Sequence, residues 1–237
     1  MGKNKLARWT ELASFDNVIQ PEIADISGKD HPVKGRWNQD IFKNGNPLVL
    51  ELGCGKGEYS VGLATRYPGK NYIGVDIKGA RMWRGAKTSN DQKLSNVAFL
   101  RTRIEFINSF FKQDEVDEIW ITFPDPHPGR RNSNKRLTAP MFLNSYRKFL
   151  KNRGMIHLKT DNAELYNYTK TIVSYNNLST VFATDDLYSA TISDDILSIK
   201  THYEKIFVNA GLKINYISFR LDNEKKIEDA PGKTKSE

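Results

Sequence analysis

The chain has 237 residues, 38% of them hydrophobic, and a mean hydropathy of −0.59, which suits a soluble chain built on one large core. No apolar run approaches the roughly 18 residues of a membrane helix, and MGKNKLARWTELASF carries charge with no apolar block behind it, so no membrane segment or secretory signal is expected. The single cysteine, Cys54, excludes an intrachain disulfide and a cysteine-rich zinc site, and the four histidines are scattered, so no metal is expected and the chain reads as cytoplasmic. Its net charge is +8, and residues 126–153 hold Arg130, Arg131, Lys135, Arg136, Arg147, Lys148, Lys151 and Arg153 with no acid. Without that block the remaining 28 bases balance 28 acids, so a polyanion facing the block is favoured over a uniformly solvated surface.

In chain order, residues 1–40 are poorly periodic and read as a partly basic arm. LVLEL (48–52) reads as a buried strand followed by a helix over KGEYSVGLATRY, and YIGVDI (72–77) as a second strand with a helix over 79–91. VAFL (97–100) precedes a helix over about 104–112, EIWIT (118–122) is a fourth strand, and MFLNSYRKFL after Pro140 is helical. GMIHLKT (154–160) and a helix over 163–175 follow, then strands near 179–184 and 213–219 flanking a helix over 202–210. This alternation predicts an α/β domain over 41–221 with a mainly parallel sheet covered by helices on both faces and closed by an antiparallel strand. Residues 222–237 have little to bury and read as a disordered tail.

The first strand runs into ELGCGKG, with Glu51 ahead of Gly53, Gly55 and Gly57. Glycines at such a turn permit tight backbone geometry and close approach of a ligand at the carboxyl end of the sheet. Asp76, ending the second strand, can accept hydrogen bonds from both hydroxyls of an adenosine ribose. The GxGxG spacing differs from the GxGxxG of dinucleotide folds, and a carboxylate at Glu51 repels a pyrophosphate while suiting the positive end of S-adenosylmethionine. An NAD-dependent oxidoreductase is disfavoured on those grounds, and a packing turn with no ligand is the plainer alternative. Lys78, Arg81, Arg84 and Lys87 recur every third residue on the next helix, as a solvated stripe or an RNA contact.

The fourth strand leads into FPDPHPGRRNSNKRL (123–137), where three prolines make a stiff turn that fixes Asp125 at the sheet edge beside a basic run. Arg130, Arg131, Lys135 and Arg136 are expected to hold a phosphate backbone. Thr201 and Glu204 of THYE have the spacing of a helix capping box, and Asp161 of LKTDN that of an N-cap, so each has a purely structural reading beside a binding one. His157 alternates within its strand and reads as packed.

ELGCGKG, GVDIKG, FPDPHPGRRNSNKRL, LKTDN and THYE, in this order over about 45–220, resemble the bacterial tRNA (guanine-N7)-methyltransferases, which methylate G46 of the variable loop. The long proline-plus-basic motif carries the specific part, and ELGCG alone indicates only the wider class I methyltransferases. The resemblance implies a Rossmann-like seven-stranded sheet, S-adenosyl-L-methionine as cofactor, tRNA as partner and no metal. It implies that Glu51, Gly53, Gly55, Asp76 and Asp125 hold the cofactor, with Asp125 also the catalytic residue. Arg130, Arg131, Asp161, Thr201 and Glu204 would bind the substrate. Arg103 stands where the family usually has an acid near the adenine, His127 where a tryptophan is common and Gly129 where a base is usual; either Arg103 stacks on or borders the adenine, or this contact is lost. A methyltransferase of another RNA or of protein, and a catalytically silent RNA-binding protein of the same fold, remain the alternatives, and monomer and homodimer are equally open.

Overall fold

Eight strands make one sheet in the order β1-β4-β3-β2-β5-β6-β8-β7 in the computed structural model, which describes residues 3–190, 197 and 199–231, without the side chains of 3–5, 130, 202 and 203. The strands are β1 (Val18–Ile19), β2 (Leu48–Leu52), β3 (Asn71–Asp76), β4 (Val97–Arg101), β5 (Val116–Thr122), β6 (Leu150–Thr160), β7 (Ser179–Thr184) and β8 (Asn215–Leu221). β2 to β6 are mutually parallel, and Leu48–Leu52 is buried on both faces, as its Leu48, Val49, Leu50 and Leu52 require, with Glu51 the one charged residue enclosed among them. The chain winds outward from β2 through β3 and β4, then returns to β5 and β6 on its other side. That reversal opens a crevice at the carboxyl ends of β2, β3 and β5. Seven strands match the sequence reading. The eighth, β1, is a two-residue pairing of Val18 and Ile19 with the outer edge of β4. The expected antiparallel strand is β8, which lies between β6 and β7 and not at the edge.

The helices are α1 (Lys3–Leu12), α2 (Ile23–Ile26), α3 (Glu58–Arg66), α4 (Gly79–Asp91), α5 (Pro140–Tyr146), α6 (Ala163–Tyr175) and α7 (His202–Asn209). One core layer joins Leu50, Ile121, Leu158, Tyr146 and Ile172, and the other joins Tyr59, Met82, Phe99, Trp120 and Tyr216 across the sheet. Where a helix was expected over 104–112, a 3₁₀ turn over Ile104–Ser109 forms, because Ile107, Phe110 and Phe111 are all drawn into the core within a short connection. His157 stacks on Trp120 with centroids 3.9 Å apart and bonds Tyr216 at 2.7 Å, a packed residue.

Residues 3–40 are integrated with the domain and do not form a separate arm. Leu12, Ile26, Val33 and Trp37 are buried, and the Trp37 indole donates to the Phe110 carbonyl at 2.9 Å. Residues 222–231 are likewise ordered, contrary to the tail reading. Ile227 is buried and exchanges two backbone bonds with the Asn144 side chain, while Asn176 brackets Glu228 in the same way. Each such isolated apolar anchor contributes about 1.5–3 kcal/mol, and a lone anchor leaves no periodicity to read. Residues 232–237 of the expected tail lie outside the described residues. Among the described residues no helix is long and apolar enough to cross a membrane.

Candidate active site

Glu51, near the end of β2, is 3% exposed, and its carboxylate accepts from the Ser60 amide at 2.9 Å, the Ser60 hydroxyl at 2.5 Å and the Thr122 hydroxyl at 2.5 Å. Burial nonetheless wins over these bonds and raises its pKa to about 7. Beyond it the chain turns through Gly53, Gly55 and Gly57 with φ of +77°, +56° and +69°. At Gly57 a Cβ would meet the Phe99 ring at 2.5 Å, so glycine is required there by space as well as by φ. Asp76 ends β3 with one oxygen on the Gly55 amide at 2.9 Å and the other on the Lys78 amide at 2.7 Å, which fixes its carboxylate beside the turn.

After Thr122 the chain leaves β5 through Phe123 and His127, both at positive φ, and Gly129. The strut of this loop is Arg136. It is buried, donates to the carbonyls of Pro126 and His127 at 3.1 Å each, pairs with Glu164 at 2.5 Å, and lies 4.6 Å above the Tyr168 ring. Its guanidinium is therefore consumed in shaping the loop, which corrects the expectation that it holds phosphate. Asp125 is exposed at the tip and has no hydrogen bond or ion pair among the described residues.

At the end of β6, Asn162 caps α6 by accepting from the Leu165 amide at 2.8 Å, so Asp161 is not the cap and its carboxylate is left unpaired among the described residues. Thr201 and Glu204 do form the capping box of α7, through bonds of 3.1 and 3.3 Å. Glu204 is wholly buried, pairs with the equally buried Lys159 at 2.7 Å and accepts from Tyr188 at 2.6 Å. Lys159 also donates to the carbonyls of Leu197 and Ile199 at 3.3 Å, tying the approach to α7 onto β6, and burial lowers its pKa.

A cleft of about 620 Å³ at the carboxyl edge brings together Glu51, Gly53, Gly55, Asp76, Asp125, Asp161 and Thr201. An adjoining recess of about 550 Å³ shares Gly53 and Asp76 and adds Thr102, Arg103 and Glu105. Arg103 thus borders the recess beside Asp76, paired with Glu105 at 3.1 Å, so an acid does reach this place, two residues later than the family pattern puts it. Glu204 does not line the cleft; its carboxylate is spent on Lys159, Tyr188 and the Thr201 amide. Arg131 and Lys135 are exposed, with Lys135 on the rim, and the side chain of Arg130 lies outside what is described. Sequence reasoning missed Ser60 and Thr122, which hold Glu51, and Lys159, whose partner lies on a distant segment. Of these only Thr122, directly before FPDP, had a positional signal.

The basic block is divided in space. Arg130–Lys135 follows the cleft loop, but Lys148, Lys151 and Arg153 lie at the amino end of β6, the opposite edge of the sheet, where Lys151 pairs with Asp117 at 2.6 Å. Arg147 bonds the Asp222 carbonyl at 2.9 Å.

Residues 45–217 match the family model described as "Putative methyltransferase". A tRNA (guanine-N(7)-)-methyltransferase of Bacteroides fragilis (strain YCH46) is 48% identical over 97% of this chain and 90% of its own length. The enzyme of the same description from Porphyromonas gingivalis is 51% identical over 89% of this chain and 86% of its own. The chain belongs to the tRNA (guanine-N7)-methyltransferase family. Among solved structures, the 16S rRNA methyltransferase KamB superposes with a TM-score of 0.61 over 81% of this chain and 95% of its own, at 11% identity, a likeness of fold alone. A mutant form of the 16S rRNA (adenine(1408)-N(1))-methyltransferase from Catenulisporales acidiphilia, solved with cosubstrate SAM, superposes at 0.52 over 81% of this chain and 92% of its own, with 14% identity. The glycine turn (Gly53, Gly55) and the proline loop (Pro124–His127) both line the cleft.

Proposed function

We propose that the protein transfers a methyl group from S-adenosylmethionine to N7 of guanine in tRNA, at position 46 of the variable loop, in the cytoplasm. The observation that carries this reading is the convergence of Glu51, Asp76, Asp125 and Asp161 on one cleft, which Glu58 also lines, at the switch point of the sheet. The donor set suits the cofactor. The buried Glu51 beside a glycine cradle fits an ammonium or sulfonium group and opposes a pyrophosphate, while Asp76 is held ready for ribose hydroxyls. When bound, S-adenosylmethionine supplies an electrophilic methyl group on a positively charged sulfur.

Guanine N7 carries an in-plane lone pair and no proton at neutral pH, so no general base is required. The work of the chain is to align the acceptor nitrogen with the methyl carbon and sulfur, an effect of proximity and orientation. In this reading Asp125 and Asp161, which line the cleft and have no other partners among the described residues, orient the base and favour the positive charge that it gains. Thr201 contributes its place at the rigid start of α7, and Glu204 acts behind it through Lys159. N7 lies in the deep, narrow groove of an RNA helix, so the guanosine enters from a loop or is extruded from its stack. Arg130, Arg131 and Lys135 supply phosphate contacts beside the loop.

Incubation of the protein with methyl-labelled S-adenosylmethionine and unmodified tRNA tests this directly. Label is expected in 7-methylguanosine and lost when G46 of the transcript is replaced by adenosine. Label in another nucleoside, or none despite cofactor binding, overturns the proposal.

A further inference from the structure

The stripe of bases on α4 acquires a partner in the fold. The α1 helix packs along α4, held by Glu11, which accepts from the Trp83 indole at 2.7 Å and pairs with Lys87 at 2.8 Å. This docking carries Arg8 to within 4.8 Å of the Trp83 ring, which Arg84 approaches from its own helix at 5.5 Å. The result is a groove of about 420 Å³ lined by Arg8, Lys56, Arg81 and Arg84, with Glu58 as its one acid among the described residues. Lys56, Glu58 and Arg81 also line the active-site cleft, so the groove continues it.

Lys87, Arg103, Arg136 and Lys70 each have a carboxylate partner, whereas Arg8, Lys56, Arg81 and Arg84 have no ion pair among the described residues, and three of them are exposed. Four like charges gathered in one concavity repel one another, and a multivalent anion relieves that repulsion. A groove that continues the active-site cleft suits an extended polyanion, such as the phosphates of one strand.

We propose that this α1–α4 groove binds the RNA phosphate backbone on one flank of the target nucleotide. This inference rests on the reading of the protein as a tRNA methyltransferase. The strand is then gripped on both sides of the cleft, by Arg131 and Lys135 beside the proline loop and by Arg8 and Arg84 across it. The N-terminal segment becomes part of the substrate-binding surface.

The test uses the full chain with Arg8→Ala and Arg84→Ala combined, because neither residue lines the cofactor cleft. Loss of two phosphate contacts should reduce the slope of log affinity for tRNA against log salt by about 1.5–2 and weaken binding roughly five- to tenfold at low salt. Affinity for S-adenosylmethionine and kcat at saturating tRNA should be unchanged, and Arg8→Lys with Arg84→Lys should restore most of the tRNA affinity. Unaltered tRNA affinity and salt slope in a doubly substituted protein that still binds S-adenosylmethionine overturns the groove while leaving the methyltransferase reading intact. Failure of the unmodified protein to methylate tRNA overturns the reading on which it rests.

Discussion

On the proposed reading, in which Glu51 meets the positive end of the cofactor, cofactor affinity depends on pH in a way that can be worked out in advance. Its carboxyl is buried and titrates near 7, against an ordinary value of 4.5. A cationic ligand binds the ionised form, so apparent affinity scales with the ionised fraction of Glu51. That fraction is about one half at pH 7 and about 3% at pH 5.5, giving a roughly 15-fold gain in affinity over the interval. The interval stays below about 7.7, where an α-amino group on the ligand is half deprotonated, so the ligand remains mostly cationic throughout. Calorimetric titration with S-adenosylmethionine at several pH values, repeated in buffers of different ionisation enthalpy, reads both the slope and the released proton. Glu51→Gln is expected to bind weakly and without that slope. A flat profile in the unmodified protein, or an unchanged slope in Glu51→Gln, refutes the reasoning.

The free protein should respond in the opposite direction. Because the folded pKa lies above the unfolded one, the stability that Glu51 contributes is fully present below about pH 4.5 and is lost as pH rises through about 7. A shift from 4.5 to about 7 is worth roughly 3 kcal/mol. The thermal midpoint of the ligand-free protein should therefore fall across this window, while the increase caused by S-adenosylmethionine grows.

Three further outcomes are expected. Lys159→Met strands the buried Glu204 and should cost about 3–5 kcal/mol by chemical denaturation, most of it recovered by adding Glu204→Gln; strictly additive losses would show that the two groups do not form an isolated pair. Asp125→Ala should lower kcat about a hundredfold or more with little change in thermal midpoint, since its carboxylate bonds nothing among the described residues, and near-normal turnover would remove it from the site. Neutralising Lys148 and Arg153 together should leave tRNA affinity and its salt dependence unchanged, because they lie at the far edge of the sheet, whereas Arg131→Ala with Lys135→Ala should weaken binding; equal effects would contradict this division.

Much of the sheet was legible because β2, β3 and β5 carry short, mostly apolar stretches (LVL, YIGV and IWI) of the kind that strands buried on both faces need. The glycine turn and Asp76 were legible for a related reason, as backbone demands at the carboxyl edge leave few residue choices. What could not be read is what depends on distant partners. Arg136 and Arg131 look alike in the sequence, yet one is walled in by Glu164 and Tyr168 and the other faces solvent. Glu204 announced its capping box through local spacing, but its pairing with Lys159 arises only when β6 and α7 meet. Asp161 and Asn162 are neighbours with equal capping propensity, and only the geometry at the start of α6 assigns the cap to Asn162.

The same distinction bears on the net charge of +8. The excess is concentrated in residues 126–153 of the chain, but folding spends Arg136 on the loop, Lys151 on Asp117 and Arg147 on the tail, and carries Lys148 and Arg153 away from the cleft. Few of those cations are left to meet RNA at the active site. The deficit is met from another part of the sequence, where α1 and α4, separated by more than sixty residues, bring Arg8 and Arg84 to one tryptophan. A linear run of bases is thus a poor guide to where a polyanion binds, since strands running antiparallel to their connections disperse it. An unpaired cation cluster assembled from separate elements is the stronger indication, because a fold that merely needed solubility would have no reason to hold like charges together.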